Sequence, residues 1–189
     1  DAPRARSAPA PSADRRSATE EELAVERSSA DIQARVARDL AAEIGSDRLQ
    51  VIVDRRGVTL SIPEAGTFAI GRDELSAPAE ELVARVAVTL NQFGKAVRVE
   101  GHTDDVPIHN ARFLSNWDLS AARATRVVEF LIDRGLGPDR LSATGYGEFH
   151  PRVPNTSAAT RASNRRIDLV ILNAATTSAE EPATTGRTP

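Results

Sequence analysis

Residues 98–123 constrain this chain more than any other stretch. Arg98-Val-Glu-Gly-His-Thr-Asp-Asp-Val-Pro reads as a strand running into an acidic loop, and Ser115-Asn-Trp-Asp-Leu-Ser-Ala-Ala-Arg123 reads as a capped helix. Ser115 and Asp118 have capping-box spacing, and Leu119, Ala122, Val127, Phe130 and Leu131 form a buried side. Arg123 falls inside that inward stripe, four residues after Leu119 and four before Val127. An isolated buried charge is strongly unfavourable, so Arg123 needs an acidic partner, and Asp104 at the end of the preceding strand is the expected one. On the residues alone, a structural salt bridge is the simpler reading of that pair. An anion facing a cation across one pocket also suits a ligand with an ammonium and a carboxylate on the same carbon, which is binding rather than catalysis.

The remaining periodicity surrounds this unit with helices and short strands. Ile32, Val36, Leu40 and Ile44 fall four apart and predict a helix over residues 31–44, stopped by Gly45. Leu49 to Val53 and Val58 to Ile62 read as a hairpin around Asp54-Arg-Arg-Gly57. A helix is expected from about Ser76, with Pro78 in its first turn and Gly94 at its end. Strands follow at Val97–Glu100, Leu141–Thr144 and Ile167–Leu172, and Gly135 and Gly137 close the helix that carries Arg123. Strands and helices mixed this way predict one sheet with helices packed on it.

The ends read differently. Residues 1–30 are rich in Ala, Pro, Ser, Arg and Glu with few large apolar groups, and are expected to be a disordered, extensible linker. Residues 173–189 are expected to be a similar tail, which leaves 31–172 as the folded domain. No apolar run reaches the length of a membrane span and no signal peptide opens the chain, so Asp1 is read as a mature terminus or the boundary of a longer chain.

Several classes of function are excluded or weakened. The net charge of −3 supplies no basic field for nucleic acid, and with Trp117 and Tyr146 the only residues of their kinds there is no stacking platform for bases. The absence of cysteine removes disulfides, thiolate metal sites and a cysteine nucleophile. His102, Asp104, Asp105 and His109 can be drawn as a metal site, but no helical His pair or second cluster supports it. No Gly-x-Ser-x-Gly elbow is present, Ser120 near His102 is not a triad, and Gly145-Tyr-Gly147 is a tight turn rather than a dinucleotide loop. No cofactor is expected. Of Arg165 and Arg166, one is expected to point into the pocket and the other outward.

Four separated motifs, Gly101-His-Thr-Asp-Asp, Ser115-Asn-Trp-Asp-Leu-Ser-Ala-Ala-Arg-Ala, Leu141-Ser-Ala-Thr-Gly-Tyr-Gly-Glu and Asn164-Arg-Arg-Ile-Asp-Leu, resemble the OmpA-like peptidoglycan-binding domain. The resemblance covers about residues 49–172. Within that superfamily, Ser115 to Ser120, the His102-Thr-Asp-Asp-Val-Pro loop and Phe68-Ala-Ile-Gly-Arg-Asp-Glu-Leu75 are most similar to the MotB branch of flagellar stator proteins. The resemblance implies an α+β OmpA-like sandwich with one mixed β-sheet. It also implies non-covalent binding of peptidoglycan through the free amino-acid end of diaminopimelate in the stem peptide. Matching the motifs assigns the ligand to Thr103, Asp104, Asn116, Arg123 and Arg165, with Asp104 taking the ammonium and Arg123 offering a planar fork to the carboxylate.

The implied protein is not an enzyme. It is periplasmic, homodimeric, and joined by an upstream membrane helix to a channel-forming stator subunit. The alternative implied by the same fold is the wall-anchoring domain of an outer-membrane porin or a peptidoglycan-associated lipoprotein. The loop between Asp104 and Asn116 is longer than in the outer-membrane members, and its extra length is expected to reshape or cover the pocket.

Overall fold

A five-stranded mixed sheet organises the molecule, and the computed structural model describes residues 13–173. In chain order the elements are α1 (Ala13–Asp39), α2 (Ala41–Gly45), β1 (Gln50–Asp54), β2 (Gly57–Pro63), α3 (Ala77–Asn91), β3 (Val97–His102), α4 (Asn116–Asp133), β4 (Leu141–Gly145), α5 (Ala158–Asn164) and β5 (Arg166–Leu172). The strand order is β1-β2-β5-β3-β4, antiparallel except for the β3–β4 pair, whose parallel pairing is made possible by the α4 crossover.

Alternation decides the two faces of the sheet. Val58, Leu60 and Ile62 of β2, Val97 and Val99 of β3, and Ile167, Leu169 and Ile171 of β5 are buried on the helical side. They meet Leu82, Val83, Val86 and Leu90 of α3, Val127 and Leu131 of α4, and Ile32 and Val36 of α1 in one apolar cluster. The opposite face carries Thr59, Ser61, Glu100, His102, Arg166 and Asp168, all buried although polar. The segment after β4 covers part of that face: Arg152 donates to Ser61, Gln50 and Asp168.

The helix expected over 31–44 is present but kinked and longer. Leu40, at φ −118° and ψ 27°, separates α1 from α2, while the bonds from Leu40 N to Val36 O and from Ile44 N to Leu40 O continue the ladder. Toward the N-terminus α1 runs back to Ala13, through residues expected to be linker. Ala, Glu and Arg are strong helix formers and elongate a helix already nucleated by the packed Ile32–Leu40 segment, so this stretch needs no apolar face of its own. Residues 1–12 and 174–189 lie outside the described residues. Among the described residues no helix is long and apolar enough to cross a membrane.

Two glycines set how closely α4 lies on the sheet. Gly101 and Gly145 are register partners at the ends of β3 and β4, and a Cβ on Gly101 would stand 2.1 Å from the Ser120 carbonyl oxygen. On Gly145 it would stand 2.5 Å from the Ala121 nitrogen. The first half of α4, with Arg123 on its inner side, is thereby laid across the strand ends from which the Thr103–Asp104 loop departs. Sequence patterning missed α5, a short helix opened by a capping box between Ser157 and Thr160.

Candidate functional site

Ser115 caps α4 by accepting from the Asp118 backbone, and the Asp118 carboxylate accepts from Leu114 N rather than from the cap residue itself. This fixes the helix start beside the strand end. Thr103, Asp104, Asn116, Arg123 and Arg165 then line one cavity of about 640 Å³, so all five residues named from the sequence come together. Glu64, Phe68, Ile70 and Ile108 line it as well.

The pairing inside the cavity differs from the expected one. Arg123 does not meet Asp104; its Nη2 lies 2.5 Å from Glu64 Oε1. Arg123 is 2% exposed, its Nε donates to Arg72 O at 2.8 Å, and its guanidinium lies 4.8 Å from the Phe68 ring centroid. Asp104 pairs instead with Arg165, at 2.5 Å from Nη1, while Arg165 Nε sits 2.5 Å from the other Glu64 oxygen. The result is one charge chain, Arg123–Glu64–Arg165–Asp104. Burial lowers the Arg123 pKa against the opposing pull of Glu64. Burial also acts to lower that of Arg165, but its hydrogen bond to Asp104 and the charge of Glu64 raise it overall.

Glu64 was not legible as a site residue. Sequence places it two residues past the strand expected to end at Ile62, and in the structure it directly follows β2 on a turn where its carbonyl accepts from Thr67 N and Phe68 N. Only the β2–β5 register, which ends with Pro63 opposite Arg166 and continues with a bond from Glu64 N to Arg165 O, brings it beside Arg165. The one available signal was an acidic residue directly after an apolar strand.

Thr103 and Asn116 shape the site through the backbone. Thr103 Oγ1 donates to Asp104 O and Asn116 Nδ2 donates to the carbonyls of Asp104 and Val106. Asp104 Oδ1 accepts from Val106 N, which leaves Oδ2 as the oxygen engaged by Arg165. The long β3–α4 loop supplies a wall through Val106, Pro107 and Ile108. It is fastened to the β2–α3 loop by Arg112, which bonds Asp73 and Glu74.

The four residues drawn as a metal site separate. The His102 ring lies on the opposite face of the sheet, stacked on Tyr146. Asp105 pairs with Arg161, and the exposed His109 lies 3.4 Å from Leu114 O. His102 Nε2 is 3.7 Å from both Glu100 and Asp168, whose oxygens are engaged by Arg56, Arg98, Arg152 and Arg166. Four guanidiniums around two carboxylates oppose a divalent cation there. Burial acts to raise the Glu100 pKa, yet His102, Arg56 and Arg98 hold it down at about 2. Arg165 faces the cavity as one of the pair was expected to, but Arg166 does not point outward: it is buried on the opposite face of the sheet, where it bonds Asp168 and the Asn164 carbonyl.

Comparison with known proteins gives a consistent picture. The OmpA family pattern matches residues 67–165. Motility protein B of Helicobacter pylori strain J99 is 31% identical over 153 residues, which is 79% of this chain and 59% of that protein. The structure of the cell wall anchor of the type VI secretion system from Pseudomonas aeruginosa superimposes with a TM-score of 0.69 at 32% identity, covering 73% of this chain and 97% of that one. The periplasmic domain of Helicobacter pylori MotB superimposes with a TM-score of 0.62 at 29% identity, covering 69% and 86%. This chain spans about half the length of the curated relatives it matches.

Proposed function

This chain belongs to the OmpA family, and from that premise we propose that it binds cell-wall peptidoglycan without covalent chemistry and anchors a flagellar stator of the MotB type to the wall. One observation supports the reading above the others: a single cavity is lined by the Asp104 carboxylate, paired with Arg165, and by the Arg123 guanidinium, paired with Glu64. An ammonium and a carboxylate on one carbon, as at the free end of diaminopimelate in a stem peptide, match that arrangement. Asp104 Oδ2 receives the ammonium, and planar guanidinium forks receive the carboxylate in a geometry lysine does not reproduce. The likeness to a cell wall anchor and to Motility protein B supports the same reading.

The finer parts of this proposal concern the longer protein. Residues 31–172 act as the wall-binding unit and the N-terminal part of α1 as its tether. The protein is periplasmic, pairs as a homodimer, and is held at the inner membrane through an upstream helix beside a channel-forming subunit. The binding role proposed is non-enzymatic, a reading that the likeness to a cell wall anchor supports. The test is cosedimentation with purified sacculi, with competition by a diaminopimelate-containing muropeptide. Saturable binding without released wall fragments supports the proposal. No binding across a range of salt concentrations refutes it, and turnover of the polymer reassigns the protein to the hydrolases.

A further inference from the structure

The five site residues named from sequence carry one negative and two positive charges, which describes a pocket for an anion. The structure changes that count. With Glu64 included, the charged groups lining the cavity are Glu64, Asp104, Arg123 and Arg165, and they sum to zero. We infer that Glu64 determines specificity in this pocket, making it select a net-neutral ammonium–carboxylate head over a simple carboxylate. The inference rests on the proposed reading that the cavity takes the amino-acid end of a stem peptide.

The geometry supplies the mechanism. Arg123 is almost fully buried and tied to Glu64 and the Arg72 carbonyl, so it stays in place. Arg165 has a side chain 35% exposed and is shared between Glu64 and Asp104, so it is the partner able to change grip. An arriving ammonium takes Asp104 Oδ2 from Arg165. The released guanidinium group turns to the ligand carboxylate while its Nε remains on Glu64, and no charge is left unpaired at any stage. A carboxylate with no ammonium has no such exchange. It draws Arg165 from Asp104 and strands a carboxylate that is 6% exposed, and it meets the repulsion of Glu64 as well. Without Glu64 the lining is positive and this discrimination weakens.

The experiment is isothermal titration of the whole chain and of Glu64→Gln with meso-diaminopimelate and with pimelate, the same carbon chain lacking both amines. The wild type is expected to prefer diaminopimelate. In Glu64→Gln the ratio of the two affinities is expected to fall about tenfold, through tighter pimelate binding. Glu64→Asp keeps the charge and is expected to keep the preference. Arg165→Gln takes the pocket from neutral to a net charge of −1, leaves Arg123 in place, and is expected to bind 1,5-diaminopentane more tightly than the wild type does. That variant decides the matter if Glu64→Gln does not fold. If the wild type binds diaminopimelate and the ratio is unchanged in Glu64→Gln, or Arg165→Gln shows no gain for the diamine, Glu64 is not the determinant and the binding proposal stands. If the wild type binds neither diaminopimelate nor sacculi, the binding proposal falls and this inference with it.

Discussion

Replacing Arg123 by alanine tests the charge chain at its most buried link. The substitution removes an ion pair to Glu64 and a 2.8 Å bond to the Arg72 carbonyl. It also removes the guanidinium lying over Phe68. Breaking a buried pair by deleting one partner typically costs about 3–5 kcal/mol, because a charge is left alone in the interior. Here Glu64 keeps Arg165 at 2.5 Å, so that full penalty does not arise. What remains is the loss of hydrogen bonds from a charged donor and of packed methylenes, about 2–3 kcal/mol in total. For a domain of this size each kcal/mol lowers the midpoint by about 2–4 °C, so Arg123→Ala should melt about 4–12 °C below the wild type. Urea unfolding followed by circular dichroism should show the midpoint shifted with the slope unchanged. In a double-mutant cycle with Glu64→Gln, the coupling energy should reach about 1 kcal/mol. A loss below about 0.5 kcal/mol would mean that the arginine exchanges its partners for water at no cost, and the reasoning from burial would be wrong.

Asp104→Asn is the contrasting case: Arg165 retains Glu64, so the melt should move by less than about 1 kcal/mol while muropeptide titration loses its signal, and undiminished binding would sink the ammonium role. Acid should destabilise the fold in two stages. His102 has its pKa lowered by burial, so its contribution is full above its ordinary pKa and declines as pH falls below it. Glu100, held at about 2 in the fold, adds a contribution that is full above its ordinary carboxylate range and is lost as pH falls toward 2. The Glu100 part amounts to about 3 kcal/mol. In Glu100→Gln the acid limb of a stability–pH curve should flatten between pH ~4.5 and ~2, and an unaltered limb would remove Glu100 as its source. Gly101→Ala should cost about 3 kcal/mol or more, since its Cβ would meet the Ser120 carbonyl oxygen at 2.1 Å and either α4 or β3 must move. A wild-type melt for that variant would show that the contact relaxes freely.

Local chemistry made much of this molecule legible in advance. The hairpin around Arg55 and Arg56, the Ser76 and Ser115 helix starts and the inward position of Arg123 follow from periodicity and capping, which act over a few neighbouring residues. The four motifs that resemble the OmpA-like domain also located the five residues that share the cavity. The pairing among them was not readable. Arg123 needed a buried partner, but whether Asp104 or Glu64 supplied it depended on the β2–β5 register, which joins positions about a hundred residues apart. The N-terminal course of α1 was missed for the opposite reason: composition measured what that stretch could bury, whereas its helix is extended from a neighbouring segment that is packed. Residue types and their spacing determined that Arg123 would be buried and in need of an acidic partner, and the resemblance added Arg165 to its pocket. Tertiary register decided which charge holds which, because ion pairing depends on distance in space and the sequence orders residues only along the chain.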